Sequence, residues 1–162
     1  MNLATGLRVE ERLAIEDLYG AYVRALDERR FDEWPELFTD ECTYRIVARE
    51  NFERGLPLSI LAFESKGMLR DRVYSITQTL FHAPYRQRHQ VSGLYVRALD
   101  SDRFAVEANY LVIRTKRAEP SEILSTGRYQ DVIVRDGGAL KFKEKVCIFD
   151  CELIPNSIIY PI

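Results

Sequence analysis

The chain has 162 residues, which suits one globular domain with its own core and is short for two, since domains most often contain about 100 to 150 residues. Its 46% apolar and 30% charged residues are typical of an ordinary folded protein and exclude disordered and fibrous classes. The 23 basic and 25 acidic residues are mixed along the chain, with a net charge of -2, so we expect a single domain over residues 1–162 and no nucleic-acid partner.

The N-terminal part of the chain is predicted to be mainly helical. From about Leu7 to Arg29, apolar residues recur at the spacing that forms one stripe of an amphipathic helix: Ile15, Leu18, Tyr19, Tyr22 and Leu26. FDEWPELFTDE predicts a short second helix that Asp32 caps, with Pro35 in its first turn. CTYRIVA at 42–48 is rich in β-formers and predicts the first strand.

The rest of the chain changes from mixed structure to strands. ENFERGLPLS predicts a loop, ILAF a short strand and SKGMLRDRVYSI a helix. Four long β-type runs with turn signals between them follow, RHQVSGLYVRAL, RFAVEANYLVIRT, EILSTGRYQDVIVR and ALKFKEKVCIFDCEL, and their short connections predict an antiparallel meander. Helices followed by antiparallel strands predict an α+β fold, a cone in which a strongly curved antiparallel sheet wraps the N-terminal helices around an interior pocket.

Apolar stretches and cysteines bear on the compartment. The apolar stretches, such as YLVI at 110–113, are far below the ~20 residues that cross a bilayer, and the first residues are charged where a signal peptide is apolar. Three cysteines, an odd number, argue against a disulfide framework. These features predict a cytoplasmic protein without a membrane partner.

The cysteines and histidines are the candidate metal ligands. Cys147 and Cys151 lie four apart in a predicted strand and therefore on one face, with Cys42 on another strand, but the spacing matches no zinc pattern and a fourth ligand is missing. His82 and His89 are separated by a proline that breaks regular structure, and a separation of seven places them on opposite faces of a strand. We expect no metal site in this chain.

Acid–base chemistry in the cone pocket is the enzymatic interpretation. A pocket lined by Tyr22, Asp27, His89, Tyr129 or Asp131 could hold a carboxyl of raised pKa or a neutral imidazole, groups that support isomerisation or dehydration of a small apolar substrate. In the structural interpretation Asp27 caps the helix or pairs with a neighbouring arginine, and the tyrosines are core residues. The candidate catalytic residues of the enzymatic interpretation are Asp27, Tyr22 and His89.

Five segments of the chain together resemble one known family: YVRALDERRFDEWPELFTDECTYRI, GMLRDRV, YRQRH, EILSTGRYQDVIV and LKFKEKVCIFD. In this order and spacing they resemble the small (beta) subunit of the Rieske-type aromatic-ring-hydroxylating oxygenases, from about residue 10 to the last residue. RENFERGLPL is most similar to the branch that acts on aromatic acids such as salicylate, anthranilate or terephthalate. The resemblance implies a cystatin-like or NTF2-like cone.

The resemblance also implies a structural role and no catalytic residue in this chain. A small subunit of this family joins a large alpha subunit in an α3β3 hexamer, and a ferredoxin or reductase supplies the electrons. The large subunit carries the Rieske [2Fe-2S] cluster and a mononuclear iron, so no cofactor is expected in this chain. Its two histidines agree with this, because the two iron centres together need more imidazoles.

The residues predicted to face a partner are charged residues of the middle segment and the apolar end of the chain. Arginine is frequent in interfaces because its planar group binds carboxylates through two hydrogen bonds. NSIIYPI is apolar where a terminal segment is usually polar, which predicts that it packs against something. The predicted interface residues are Arg70, Asp71, Arg72, Arg86, Arg88, Ile158, Ile159, Tyr160, Pro161 and Ile162.

Overall fold

The computed structural model of the protein describes residues 7–151 and 158–162. Its helices are α1 (Val9–Asp27), α2 (Arg49–Glu53) and α3 (Lys66–Tyr74). Its strands are β1 (Phe38–Ala48), β2 (Leu61–Phe63), β3 (Tyr85–Ala98), β4 (Arg103–Lys116), β5 (Glu122–Asp136) and β6 (Ala139–Phe149). Single 3-10 turns, Phe31–Glu33 and Pro35–Leu37, precede β1, and a π-helical turn, Ser75–Thr79, follows α3. No helix in the described ranges is long and apolar enough to cross a membrane.

One curved, open sheet contains all six described strands in the order β2-β1-β6-β5-β4-β3. Strands β3 to β6 pair antiparallel, which confirms the meander predicted from the four long runs. Strand β1 pairs parallel to β6, so the sheet is mixed and the prediction of an entirely antiparallel sheet is wrong in this respect. Parallel neighbours need a long connection, and the chain between β1 and β6, which includes four other strands, provides one.

A bulge in β3 contributes to the curvature of the sheet. The pairing of β3 with β4 shifts between Ser92 and Tyr95, and Gly93 within the shift has a φ of +63°. An extra residue in one strand bends that strand, and glycine adopts this left-handed backbone without strain. A Cβ at Gly93 would also lie 2.9 Å from the side-chain nitrogen of Asn109 on β4. The bend turns the edge of the sheet around α1.

Helix α1 packs into the concave face of the sheet, with the predicted apolar stripe inward. All five residues of the stripe are buried: Ile15, Leu18, Tyr19, Tyr22 and Leu26. Removal of one large apolar side chain from water stabilises the fold by about 1.5–3 kcal/mol, so the stripe makes a large contribution. The predicted α+β cone around an N-terminal helix is confirmed.

The second predicted helix is reduced to the two 3-10 turns. Asp32 does not cap it, because no side-chain cap hydrogen bond is present at either turn. Trp34 is fully buried and packs edge-on against Phe38 and Tyr44, with ring centroids 5.7 and 5.3 Å away. This aromatic packing holds Phe38 in the sheet, so β1 begins there, earlier than predicted.

Residues Arg49–Glu53 form α2 where the sequence predicted a loop. The helix places Phe52 against a small apolar cluster on β1 and β6 that consists of Val47, Val146 and Ile148. This packing outweighs the low helix propensity of so short a segment.

Candidate functional site

The inward face of the cone gathers the candidate acid–base residues. Tyr22 and Asp27 come from α1, His89 from β3, and Tyr129 and Asp131 from β5, and all five are buried. Side chains alternate between the two faces of a strand, and β3 buries His89 while it exposes the residues on either side. The orientation of His89, which the sequence leaves open, is therefore inward.

Asp27 and His89 form a hydrogen-bonded pair between α1 and β3. His89 Nδ1 lies 2.5 Å from Asp27 Oδ1, and the main-chain N–H of His89 donates to Oδ2 at 3.0 Å. On the outer side, Arg88 Nη1 lies 4.0 Å from the same Oδ2. His89 Nε2 is buried and has no hydrogen-bond partner among the described residues. Asp27 thus attaches the end of α1 to β3 through His89.

Tyr22 is turned away from this pair and donates to a different group. Its ring meets His89 edge-on with centroids 6.4 Å apart, but its hydroxyl donates to the main-chain oxygen of Ile162 at 2.6 Å. The Tyr44 hydroxyl and the Cys147 thiol donate to the same oxygen at 3.0 and 3.2 Å. Burial raises the pKa of both tyrosines far above the usual value and that of the Cys147 thiol to about 12. All three groups therefore stay protonated donors at neutral pH.

A second polar cluster in the cone is an ion pair that the sequence analysis did not identify. Lys145 Nζ lies 2.9 Å from Asp131 Oδ2 and 3.5 Å from the ring centroid of Tyr129, and the Tyr19 hydroxyl donates to the same carboxylate oxygen at 2.5 Å. Burial raises the pKa of Asp131, and the ammonium of Lys145 opposes this rise. The pairing of β5 with β6 shifts by one residue at Lys143, and this shift turns Lys145 inward.

The segment Ile158–Ile162 fills the interior where the sequence predicted a pocket. Arg72 Nη2 donates to the main-chain oxygens of Ile158 and Ile159, both at 2.7 Å, and the Tyr160 ring packs on Tyr85. Four residues of the segment are buried: Ile158, Tyr160, Pro161 and Ile162. Their predicted place in a subunit interface depends on exposure. That exposure is absent, because these apolar side chains are covered by their own chain. Half-buried Arg72 is likewise directed to this segment.

The other predicted interface residues lie on the surface. Arg70 and Asp71 are exposed on α3, and Arg86 and Arg88 are exposed on β3. The segment from α3 to β3 exposes three large apolar residues that the sequence analysis did not single out: Tyr74, Leu80 and Phe81, of which Phe81 is fully exposed. The apolar pair Leu80 and Phe81, which follows three polar residues at 77–79, was the sequence signal that could have identified this surface.

The cysteines and His82 lie apart from one another. Among residues 7–151 and 158–162, no three His, Cys, Asp or Glu side chains are grouped as metal ligands would be. His82 Nε2 lies 2.9 Å from the Tyr160 hydroxyl. Cys42 and Cys147 are buried, and β6 ends before the exposed Cys151, so the prediction that Cys147 and Cys151 share one strand face is wrong.

A groove between α1 and β3 lies next to these groups. Its volume is about 530 Å³, and Glu16, Tyr19 and His89 contribute to its wall. Both oxygens of the Asp27 carboxylate are occupied by His89. The interior is thus arranged to hold the helix, the strands and the segment Ile158–Ile162 together, and the groove outside it is open to solvent.

Comparison with known proteins relates these features to characterised chains. The SnoaL-like domain family matches residues 7–146. The small subunit of anthranilate 1,2-dioxygenase from Burkholderia cepacia is 36% identical over 145 residues, which cover 90% of each chain. The beta 1 subunit of the terminal oxygenase component of terephthalate 1,2-dioxygenase from Comamonas sp is 24% identical, over 88% of this chain and 92% of its own. A crystal structure from Novosphingobium aromaticivorans, assigned as the beta subunit of an aromatic-ring-hydroxylating dioxygenase, has a TM-score of 0.82 at 33% identity and covers 91% of this chain and 93% of its own.

Proposed function

Since the chain belongs to the SnoaL-like domain family and to the small subunits of aromatic-ring-hydroxylating dioxygenases, we propose that it is the structural small subunit of an oxygenase that acts on an aromatic acid such as salicylate. The observation that carries the proposal is the 36% identity over 90% of both chains with an anthranilate dioxygenase small subunit. Anthranilate and terephthalate, which name the relatives, are both aromatic acids, and this supports the substrate class.

The partner of such a subunit is a large alpha oxygenase subunit, and the assembly that we propose is an α3β3 hexamer. In it the small subunits contact one another and the alpha subunits, and electrons arrive through a ferredoxin or reductase. The Rieske cluster and the mononuclear iron are assigned to the alpha subunit. In support of this, both ring nitrogens of His82 have hydrogen-bond partners, and no three His, Cys, Asp or Glu side chains of the described residues are grouped as metal ligands would be.

The surface that we propose for the large subunit lies on α3, on the residues between α3 and β3, and on the beginning of β3, at Arg86 and Arg88. Phe81 is fully exposed and Tyr74 is 62% exposed, and a partner that covered them would remove apolar area from water. Among the described residues, the charged partner of Arg88 is Asp27 at 4.0 Å, and its side chain is 59% exposed, so its guanidinium group can receive a carboxylate of the large subunit. Arg70, Asp71 and Arg86 are exposed on the same elements.

A second candidate function is a stand-alone acid–base enzyme, an isomerase or a dehydratase. The observation in its favour is the buried Asp27–His89 pair beside the groove, with His89 Nε2 unpartnered among the described residues. Against it, Tyr22 donates to Ile162 and the segment Ile158–Ile162 occupies the interior, so the third candidate catalytic group is engaged.

Turnover by reconstituted components distinguishes the two functions. The large subunit of the proposed oxygenase is assayed with salicylate, anthranilate and terephthalate, with a reductase and NADH, in the presence and absence of the small subunit. We expect hydroxylation by the complex, none by the small subunit alone, and the same turnover per complex when the small subunit carries Asp27→Asn. Conversion of a small ketone by the isolated chain, lost in Asp27→Asn, would instead support the stand-alone enzyme.

A further inference from the structure

The segment Ile158–Ile162 lies in the cone without pairing to any strand of the sheet. Its main chain is held instead by side chains from the rest of the protein. Arg72 donates to the oxygens of Ile158 and Ile159. The Tyr85 hydroxyl accepts the N–H of Tyr160 at 3.1 Å, and Gln87 Nε2 donates to the oxygen of Pro161 at 3.4 Å. A short segment without regular secondary structure that is held in this way has the features of a bound peptide.

The last residue of the segment occupies a subsite with both donors and an acceptor. The main-chain oxygen of Ile162 accepts from Tyr22, Tyr44 and Cys147, and its N–H donates to the Tyr44 hydroxyl at 3.0 Å. The side chain of Ile162 is fully buried. Because unpaired polar groups are costly in an apolar interior, three donors that meet at one oxygen would be unsatisfied in an empty cone.

Tyr160 occupies an aromatic subsite. Its ring lies 4.2 Å from that of Tyr85, 4.9 Å from that of Phe31 and 5.3 Å from that of His82, measured between centroids. Its hydroxyl is 2.9 Å from His82 Nε2. The ring and the hydroxyl are thus both recognised, which selects tyrosine over an aliphatic residue at this position.

The residues that form these subsites are positioned by contacts that do not involve the segment. Tyr44 lies on β1, which pairs with β2 and β6, and Cys147 lies on β6, which pairs with β1 and β5. Tyr22 belongs to the apolar stripe of α1, which packs on the sheet. The site is therefore largely formed by the rest of the chain.

We propose that the cone of this protein is a binding site for a short apolar peptide with a tyrosine, and that its own segment Ile158–Ile162 is the ligand that occupies it. The proposal goes beyond the role as an oxygenase subunit and does not depend on it. It also gives the cone a ligand other than a small-molecule substrate. A small molecule can enter the cone only after the segment has left.

Peptide exchange in a cleavable variant tests the proposal. A protease recognition sequence replaces residues 152–157, and the chain is cut after it has folded, so that folding takes place with the segment attached. An isotope-labelled peptide of the sequence IIYPI is then added, and native mass spectrometry measures its binding. We expect saturable exchange to one labelled peptide per chain. A cut chain that loses the segment and does not bind the peptide, whether it stays folded or unfolds, overturns the proposal.

Matched pairs of variants show whether the observed contacts provide the affinity. Arg72→Ala should raise the Kd of the peptide about 10- to 100-fold, because it removes two hydrogen bonds from a charged donor. Arg70→Ala on the same helix removes an exposed arginine that bonds to Glu36, and it should leave the Kd unchanged. Equal effects of the two substitutions would contradict the assigned site.

A second pair of variants tests the subsite of Ile162. Each variant removes one buried tyrosine hydroxyl. Tyr44→Phe should raise the Kd of the peptide about 10- to 100-fold, since its hydroxyl makes two neutral hydrogen bonds with Ile162, one to the oxygen and one from the N–H. Tyr110→Phe removes a buried hydroxyl that contacts Ser125, so its Kd should match that of the unsubstituted chain. A larger effect of Tyr110→Phe than of Tyr44→Phe would show that the hydroxyl of Tyr44 does not hold the segment.

Discussion

Asp27 and His89 face each other inside the cone, and one carboxylate satisfies two donors of β3, the Nδ1 and the main-chain N–H of His89. Asp27 is the last residue of α1, so the pair joins the end of the helix to the edge strand of the sheet. Because both of its oxygens accept hydrogen bonds, the carboxylate has a structural role, and the free energy of unfolding measures that role.

Removal of the Asp27 carboxylate should destabilise the fold. Asp27→Ala leaves two buried donors of His89 without an acceptor, and we expect the free energy of unfolding to fall by about 2–5 kcal/mol. Asp27→Asn keeps the shape and one acceptor, so its effect should be smaller. Urea unfolding followed by the fluorescence of Trp34, the single tryptophan, measures both. Equal stability of Asp27→Ala and the unsubstituted chain would contradict the structural role.

Gly127 on β5 has no room for a side chain. A Cβ there would lie 1.9 Å from the main-chain oxygen of Ile148 on β6, so Gly127→Ala should lower the free energy of unfolding by about 3 kcal/mol or more. Gly20 in α1 has nothing within 4 Å of the same position, and Gly20→Ala should stabilise the helix by about 0.5–1 kcal/mol. In thermal unfolding, Gly127→Ala should lower the melting temperature and Gly20→Ala should raise it. Unchanged stability of Gly127→Ala would show that β5 and β6 lie further apart than in this structure.

The buried tyrosines and Cys147 predict a loss of stability at alkaline pH. Burial raises the pKa of four tyrosines far above the usual value and that of Cys147 to about 12: Tyr19, Tyr22, Tyr44 and Tyr129. A group whose pKa is raised in the folded chain stabilises it fully below the unfolded pKa, about 8.5 for cysteine and 10 for tyrosine, and this contribution is lost as the pH rises.

The expected slope is up to about 1.4 kcal/mol per pH unit for each such group above its unfolded pKa. Urea unfolding between about pH 8 and 11.5 measures this slope, and tyrosinate absorbance should appear together with unfolding. Tyr22→Phe removes one of these groups, so the loss of free energy of unfolding with pH should become less steep by the contribution of that group. Ionisation of these tyrosines while the chain is still folded would show that their hydroxyl groups are accessible to water.

Arg88→Ala should weaken the attachment of the large subunit. Loss of one member of a desolvated charge pair at an interface costs about 2–5 kcal/mol, so the complex should dissociate at lower salt. Arg97→Ala is the matched control, because Arg97 is exposed on the same strand and is outside the proposed surface. If Arg88→Ala co-purified with the large subunit at unchanged stoichiometry and salt resistance, its proposed interface role would be wrong.

The parts of the fold that follow from local periodicity could be predicted. The apolar stripe of α1 and the four β-type runs with turn signals between them are local patterns, and the helix and the antiparallel meander that they predict are both confirmed. The parallel pairing of β1 with β6 depends on residues about a hundred positions apart, which no local pattern specifies. The helix α2 likewise depends on distant partners, since Phe52 packs against Val146 and Ile148.

The site was less predictable for the same reason. Asp27, Tyr22 and His89 were identified as interior candidates, but their hydrogen bonds to one another or to Ile162 depend on tertiary geometry. Lys145 resembles a surface residue in the sequence and is buried because a bulge shifts the phase of the pairing between β5 and β6. The apolar end of the chain does predict packing, but the pattern alone cannot distinguish its own cone from a partner.

The central claim is that this chain is one half of a two-subunit oxygenase. Native mass spectrometry of the chain co-expressed with the large subunit of the proposed oxygenase tests this most directly. The account predicts one major species that contains the two subunits in equal number, with the mass of an α3β3 hexamer. A chain that stays a monomer or assembles only with copies of itself, while the large subunit is folded and present, would contradict the account.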